Sequence, residues 1–305
     1  MKKLICVLLA VCLLCSVMAA CGGKGGNDSR NNNQGNVGAN NDKQDSGSAG
    51  SGEYFVWMTD TIISGLTEEG MKQTTLVIPA KCERVDRLTS ETLKKVTFEN
   101  PDTEISAMVF TECTALETIV LPSNLKVIKT ATFEGCISLK SIEIPESVTE
   151  IGDGAFCKCS SLEKVTLGNN VTLLESNAFE ECVALTSIVI PDSVTVLEDE
   201  VFKDCAALNS VTFGAGIESI GESAFENCVS LTKIELPEGL KILGEDAFSY
   251  CDALEEIYLP QSVEEMSMSC IAQTHNFKVY LYEGSYCDEM FNSLRGFDYM
   301  EKIYR

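Results

Sequence analysis

Residues 178–191 read AFEECVALTSIVIP. Phe179, Cys182, Leu185, Ile188 and Ile190 are its apolar frame, and Val194 and Leu197 follow three apart. The phrase recurs along the chain at one fixed step of 23 residues. The phenylalanines and cysteines form a ladder: Phe110, Cys113, Phe133, Cys136, Phe156, Cys159, Phe179, Cys182, Phe202, Cys205, Phe225, Cys228, Phe248 and Cys251. Leucine keeps the same step from Leu116 to Leu254, and an isoleucine or valine keeps it from Ile119 to Ile257. Pro122, Pro145, Pro191, Pro237 and Pro260 close the apolar run, with Gly168 and Gly214 in the other two copies. A unit this short cannot bury its own apolar residues, so seven consecutive copies imply a solenoid in which each coil is covered by its neighbours.

Within one unit, SIEIP at 141–145 alternates polar and apolar and then meets proline, which describes a short strand with one buried face. SVTEIG at 147–152 predicts a second short extended run. GAFCKCSSL at 154–162 predicts a turn or a single helical turn that returns the chain. Parallel strands should therefore stack about 4.8 Å apart, and roughly nine coils would make a body on the order of 45 Å long.

The pattern A-F-x-x-C-x-x-L-x-x-I-x-I-P-x-x-V-x-x-I resembles the BspA-like, or Treponema-type, leucine-rich repeats, from about Leu76 to the C-terminus. The resemblance implies a right-handed, predominantly β leucine-rich-repeat solenoid and a bacterial surface or secreted protein. Those relatives with a known role bind host or bacterial partners such as matrix proteins, and the motif carries no catalytic residue. Residues 61–85 look like the family's opening segment and residues 280–290 like its closing one. Two coils are degenerate. Arg87 and Ser90 stand at the phenylalanine and cysteine positions of the first, and Ile271, Thr274 and Phe277 at the phenylalanine, cysteine and leucine positions of the last. Atypical terminal repeats are expected, because they shield an open core.

The N-terminus has the parts of a secretory signal: Lys2 and Lys3, an uncharged apolar run from Leu4 to Leu14, then Met18, Ala19 and Ala20 before Cys21. The run is short for a membrane span. Its end resembles a bacterial lipoprotein lipobox, with Met18 where leucine is usual, which implies lipidation of Cys21 and anchorage to the cell envelope through that lipid. Residues 21–52 are rich in Gly, Asn and Ser and offer one valine, so they read as a disordered tether. The expected organisation is a signal peptide over 1–20, the tether over 21–52, a lead-in and cap over 53–92, the solenoid over 93–270, and a degenerate last repeat with C-terminal cap over 271–305. Residues 53–305 hold 18 Lys/Arg against 43 Asp/Glu, a difference of −25. Such a domain repels nucleic acid and anionic lipid.

Few residues invite chemistry. A metal site would want C-x-x-C pairs with histidines, whereas the chain has one histidine, His275, and only Cys157 and Cys159 are close in sequence. The ladder cysteines therefore read as small buried hydrophobes whose weak S–H donors reach turn carbonyls. Cys82 aligns with a valine and reads as core, while Cys157 is the candidate exposed, reactive thiol. Acidic pairs such as Glu180–Glu181 and Glu255–Glu256 read as a solvated face, and Gly152, Gly221 and Gly244, at one turn position, point to backbone geometry. No cofactor, metal or enzymatic activity is expected.

The outward strand positions hold the functional question. Ser141, Glu143, Lys164, Thr166, Ser187, Val189, Ser210, Thr212, Lys233, Glu235, Glu256 and Tyr258 should form two columns on one sheet face, with Tyr258 as the one aromatic anchor. Solenoids commonly bind partners across such a face. The sequence supports a monomeric, surface-exposed, adhesin-like protein with a protein or glycan ligand. The alternative is a structural or self-assembling envelope lipoprotein with the solenoid as spacer.

Overall fold

The computed structural model describes residues 53–267, 269–272, 274, 276–293 and 300–305. Two columns of parallel strands run along it. The longer strands begin at Thr75–Ile78 and Lys95–Phe98 and end at Phe277–Leu281 and Met300–Tyr304; between them lie strands such as Ser141–Glu143 and Ser187–Val189. Eleven strands stand in this column, in three hydrogen-bonded runs of three, four and four. The second column consists mainly of two-residue strands. Val127–Ile128 to Glu265–Met266 form its seven-stranded run, and the strand at 84–85 pairs on one side with the N-terminal hairpin Phe55–Trp57/Ile62–Leu66 and on the other with the strand at 104–105. The roughly nine coils expected from the repeats undercount the stack, because the lead-in and the closing segment each contribute strands to it.

The register carries the repeat into space. Lys164 pairs with Ser141 and Leu173 with Glu150, so equivalent residues lie directly above one another. In each coil, alternation puts the strand isoleucine inward and its neighbours outward. The seven ladder phenylalanines are fully buried and stack ring on ring at 5.1–5.5 Å. Ala155, Ala178, Ala224 and Ala247 are buried beside them, leaving room for the rings.

The third side of each coil is a turn, with no helix. Its backbone takes a positive φ twice, two residues before and two after the phenylalanine, as at Asn177 (φ 59°) and Glu181 (φ 56°). Of the fourteen such positions from 108 to 250, only Gly135 and Gly154 are glycine. The left-handed conformation costs a side-chain-bearing residue about 1–2 kcal/mol. Hydrogen bonds along the axis offset that cost. The N–H groups of Asn177, Phe179 and Glu181 donate to the carbonyls of Asp199, Val201 and Lys203 at 3.1, 2.9 and 2.9 Å. These turns thus form a third ladder, made without strands.

Gly152, Gly221 and Gly244 serve backbone geometry, as their recurrence implies: without positive φ, they allow close approach. A Cβ on Gly152 would lie 2.8 Å from Thr130 N, and one on Gly244 would lie 2.5 Å from Gly221 C. The first coil departs from expectation: it is shorter than the rest. Thr75 pairs with Lys95 and Arg84 with Glu104, an offset of 20, before Lys95 pairs with Thr118 at 23. The shortened turn rotates the chain, so Leu88 fills the phenylalanine place, fully buried, and Arg87 faces solvent. The last coil follows expectation: Ile271 and Thr274 are buried where phenylalanine and cysteine stand elsewhere.

Candidate interaction face

The outward columns of the longer strands are built by alternation alone. Ser141, Glu143, Lys164, Thr166, Ser187, Val189, Ser210, Thr212, Lys233 and Glu235 are all exposed, each flanking a residue that packs into the core. Glu256 and Tyr258 belong to the same columns but are half-buried. The columns extend beyond the positions found in sequence, to Val77 and Lys95 at one end and Lys278, Tyr280 and Glu301 at the other. Val77, Val120 and Val189 are 45%, 55% and 64% exposed, so part of the surface is apolar.

The charge on this face is distinctive. Across the eleven strands, its outward charged residues are Lys95, Lys164, Lys233 and Lys278 against Glu143, Glu235, Glu256 and Glu301. Four positive charges against four negative leave it neutral, so the whole imbalance of −25 in residues 53–305 lies elsewhere. Among the described residues Lys95 and Lys164 have no ion-pair partner, whereas Lys233 pairs with Glu235 at 2.6 Å. That carboxylate holds the Lys233 pKa above its ordinary value.

Tyr258 is not a lone anchor. Its ring stacks on Tyr280 at 4.1 Å, and Lys233 Nζ lies 4.8 Å from its centroid on the coil before. Both hydroxyls donate to Glu256, at 3.0 Å from Tyr258 and 3.1 Å from Tyr280. Arg305 reaches the rings of Tyr258 and Tyr282, 5.4 Å from each centroid. Burial, together with Tyr258 and Glu256, pushes the Tyr280 hydroxyl up to about 12. Sequence counting missed Tyr280 and Tyr282, because the step shortens to 22 where Glu256 meets Lys278. The alternation of Lys278, Tyr280 and Tyr282 was the available signal.

The cysteine ladder lies inside. From Cys136 to Cys251 each ladder thiol donates to the phenylalanine carbonyl of the preceding coil, as from Cys182 to Phe156 at 3.3 Å and from Cys205 to Phe179 at 3.3 Å, and Cys113 donates to Leu88, which holds that place in the first coil. In the last coil the Thr274 hydroxyl donates to Phe248 at 3.1 Å, so the bond persists when the residue changes. All eleven described cysteines, Cys82 among them, are buried free thiols. Burial pushes Cys205 and Cys251 up to about 12 and Cys113 up to about 11. Cys157 is not exposed: it is 6% accessible and donates to Glu180 Oε2 at 3.3 Å. Burial first and then Glu180 push its pKa up to about 12, the reverse of what a reactive thiol needs.

Cys21 and His275 lie outside the described residues. Among the described residues, no group of three or more His, Cys, Asp or Glu side chains could hold a metal ion, and no helix is long and apolar enough to cross a membrane.

Comparison with known proteins agrees with this architecture. The family model described as the BspA type leucine rich repeat region matches in 6 copies over residues 88–207 and 172–286. A leucine-rich repeat protein of T. pallidum is 29% identical, with a TM-score of 0.53 over 59% of this chain and 89% of that one. A leucine-rich repeat protein of Bacteroides ovatus is 20% identical over 82% of this chain and 97% of its own, with a TM-score of 0.44. The pneumococcal vaccine antigen PcpA is 14% identical over 76% and 79%, with a TM-score of 0.42. No curated protein matches the chain. Seven unbroken copies, the stacked coils and a family match over more than half of the residues place the chain in the BspA-type leucine-rich repeat family.

Proposed function

We propose that this protein is exported, anchored to the bacterial cell envelope through a lipid on Cys21, and displayed at the surface, where it binds another protein through its longer-strand face without catalysis. The anchor rests on the signal-like residues before Cys21. The binding role rests on one observation: a neutral face with exposed valines on a strongly acidic solenoid. A chain that needed only solubility would gain from acidic residues there too, since net charge keeps proteins apart. A neutral face lets a partner approach there without desolvating many like charges.

Binding of the full chain to immobilised matrix proteins, peptides and glycans tests the reading. Val120→Glu and Val189→Glu should weaken any binding at least tenfold, while Thr195→Glu on the opposite sheet should leave it unchanged. Equal losses from all three, or no partner across the panel, would favour the spacer alternative. Radiolabelled lipid precursor followed by Cys21→Ala tests the anchor separately.

A further inference from the structure

The closing segment carries a constellation that a binding face does not need. Helix Tyr286–Ser293 presents Asp288 and Asn292 four residues apart on one side. Strand Met300–Tyr304 brings Lys302 against them. Lys302 Nζ donates to Asn292 Oδ1 and lies 3.5 Å from Asp288 Oδ1. Asn292 Nδ2 donates to the same carboxylate oxygen at 3.0 Å. The Tyr304 hydroxyl also donates to Oδ1 at 3.0 Å, and the Gly284 N–H to Oδ2 at 3.1 Å, so Asp288, 5% exposed, is fixed from both sides.

An amine, a carboxamide and a carboxylate bonded to both are the nucleophile, electrophile and proton carrier of a transamidation. The amide is oriented for it: its carbonyl oxygen faces the lysine, and its leaving nitrogen faces the carboxylate. We propose that Lys302 and Asn292 are joined by an intramolecular isopeptide bond, with Asp288 carrying the proton. Asp288 takes a proton from the Lys302 ammonium, and the freed amine adds to Asn292 Cγ. Asp288 returns that proton to Nδ2 and takes the second one from Nζ as the Cγ–Nδ2 bond breaks, then passes it to the departing ammonia. One Nζ–Cγ amide forms, one ammonium ion leaves, Asp288 ends as the carboxylate it began as, and no oxidant or cofactor enters. Amides are poor electrophiles, but holding the groups in place supplies a large effective concentration. The bond would close the chain between helix and last strand at the end of the stack, where a repeat array frays first.

Tryptic mapping of the folded full chain tests the proposal. The peptide bearing Asn292 should appear joined to the peptide bearing Lys302, about 17 Da below their summed mass, with no cleavage after Lys302. Lys302→Arg keeps a cation beside Asp288 but offers no usable nucleophile. It should give separate peptides and an unchanged circular dichroism spectrum. Asp288→Asn should slow linkage about a hundredfold or more. Only separate peptides from folded wild-type protein would reduce the triad to an ion-paired cap and overturn the proposal. Linkage at an unchanged rate in Asp288→Asn would overturn the role given to the carboxylate.

Discussion

Replacing Cys182 tests whether the ladder is a hydrogen-bond device or only a packing device. Its thiol is fully buried and donates to the Phe156 carbonyl at 3.3 Å. Cys182→Ala removes one core heavy atom, about 1 kcal/mol of transfer free energy with a small cavity cost added. The lost bond is a weak neutral one, so its net contribution sits at the low end of about 0.5–1.5 kcal/mol. The carbonyl is not orphaned, because the Cys159 N–H also donates to it at 3.1 Å. The expected total is therefore about 2 kcal/mol. Cys182→Ser has the same transfer loss but keeps a stronger donor, and Thr274 shows an oxygen donor making the equivalent bond in the last coil. Serine should thus be less costly than alanine by about 1 kcal/mol. Urea unfolding followed by circular dichroism, compared at unchanged slope, reads the difference. A serine variant less stable than the alanine variant would refute the reasoning, because it would mean a buried hydroxyl without its bond.

Three further outcomes follow from other parts of the structure. Glu112 is exposed with φ 57°, so Glu112→Gly should stabilise the chain by about 0.5–1 kcal/mol, the left-handed strain exceeding the entropy that glycine loses; thermal unfolding checks the sign. Cys157 has its pKa raised from 9.0 to about 12, which lowers its thiolate fraction about a thousandfold near pH 8; iodoacetamide should leave it unlabelled in the folded protein and label it in urea, as read by mass. Before the Lys302–Asn292 amide forms, burial works against the charged form of Asp288, but the Gly284 N–H, the Tyr304 hydroxyl and the Lys302 ammonium outweigh it and hold the carboxyl below 3.8. Its contribution to the C-terminal cap of the unlinked chain is present at neutral pH and is lost as pH falls through that lowered value; hydrogen exchange of residues 286–293 should therefore accelerate below about pH 3.8 in Lys302→Arg, which stays unlinked and keeps a cation there, and Asp288→Asn on that background should remove the pH dependence.

The parts of the fold that were readable are those that every coil must solve in the same way. Phe179, Cys182, Leu185 and Ile188 each face the same neighbour one coil away, so one solution recurs and the step shows itself. The turn conformation was not readable in the same way. Its two left-handed residues per coil are stabilised by axial hydrogen bonds and tolerate methionine, lysine or glutamate, so glycine does not mark them. Counting by 23 also failed where the count itself changes. Three residues fewer in the first coil put Leu88 rather than Arg87 inside, and one fewer near the end hid Tyr280 and Tyr282 from the outward columns. Cys157 was misjudged because the carboxylate that covers it, Glu180, comes from the next coil.

This division bears on where function can reside. A position that repeats in every coil answers to the stack, and the cysteine ladder, the most reactive residue type in the most regular place, is accordingly buried and electrostatically silenced. What a partner or a reaction requires must then lie in features that do not repeat. The neutrality of the longer-strand face is one, because its charged residues fall at different positions in different coils and cancel across the eleven strands. The Asp288–Asn292–Lys302 triad is another, because it falls after the last intact repeat and has no counterpart in any coil. Variation among coils is therefore the more informative guide to function in this solenoid, and changes at Val120, Val189 or Lys302 should alter behaviour while leaving the ladder intact.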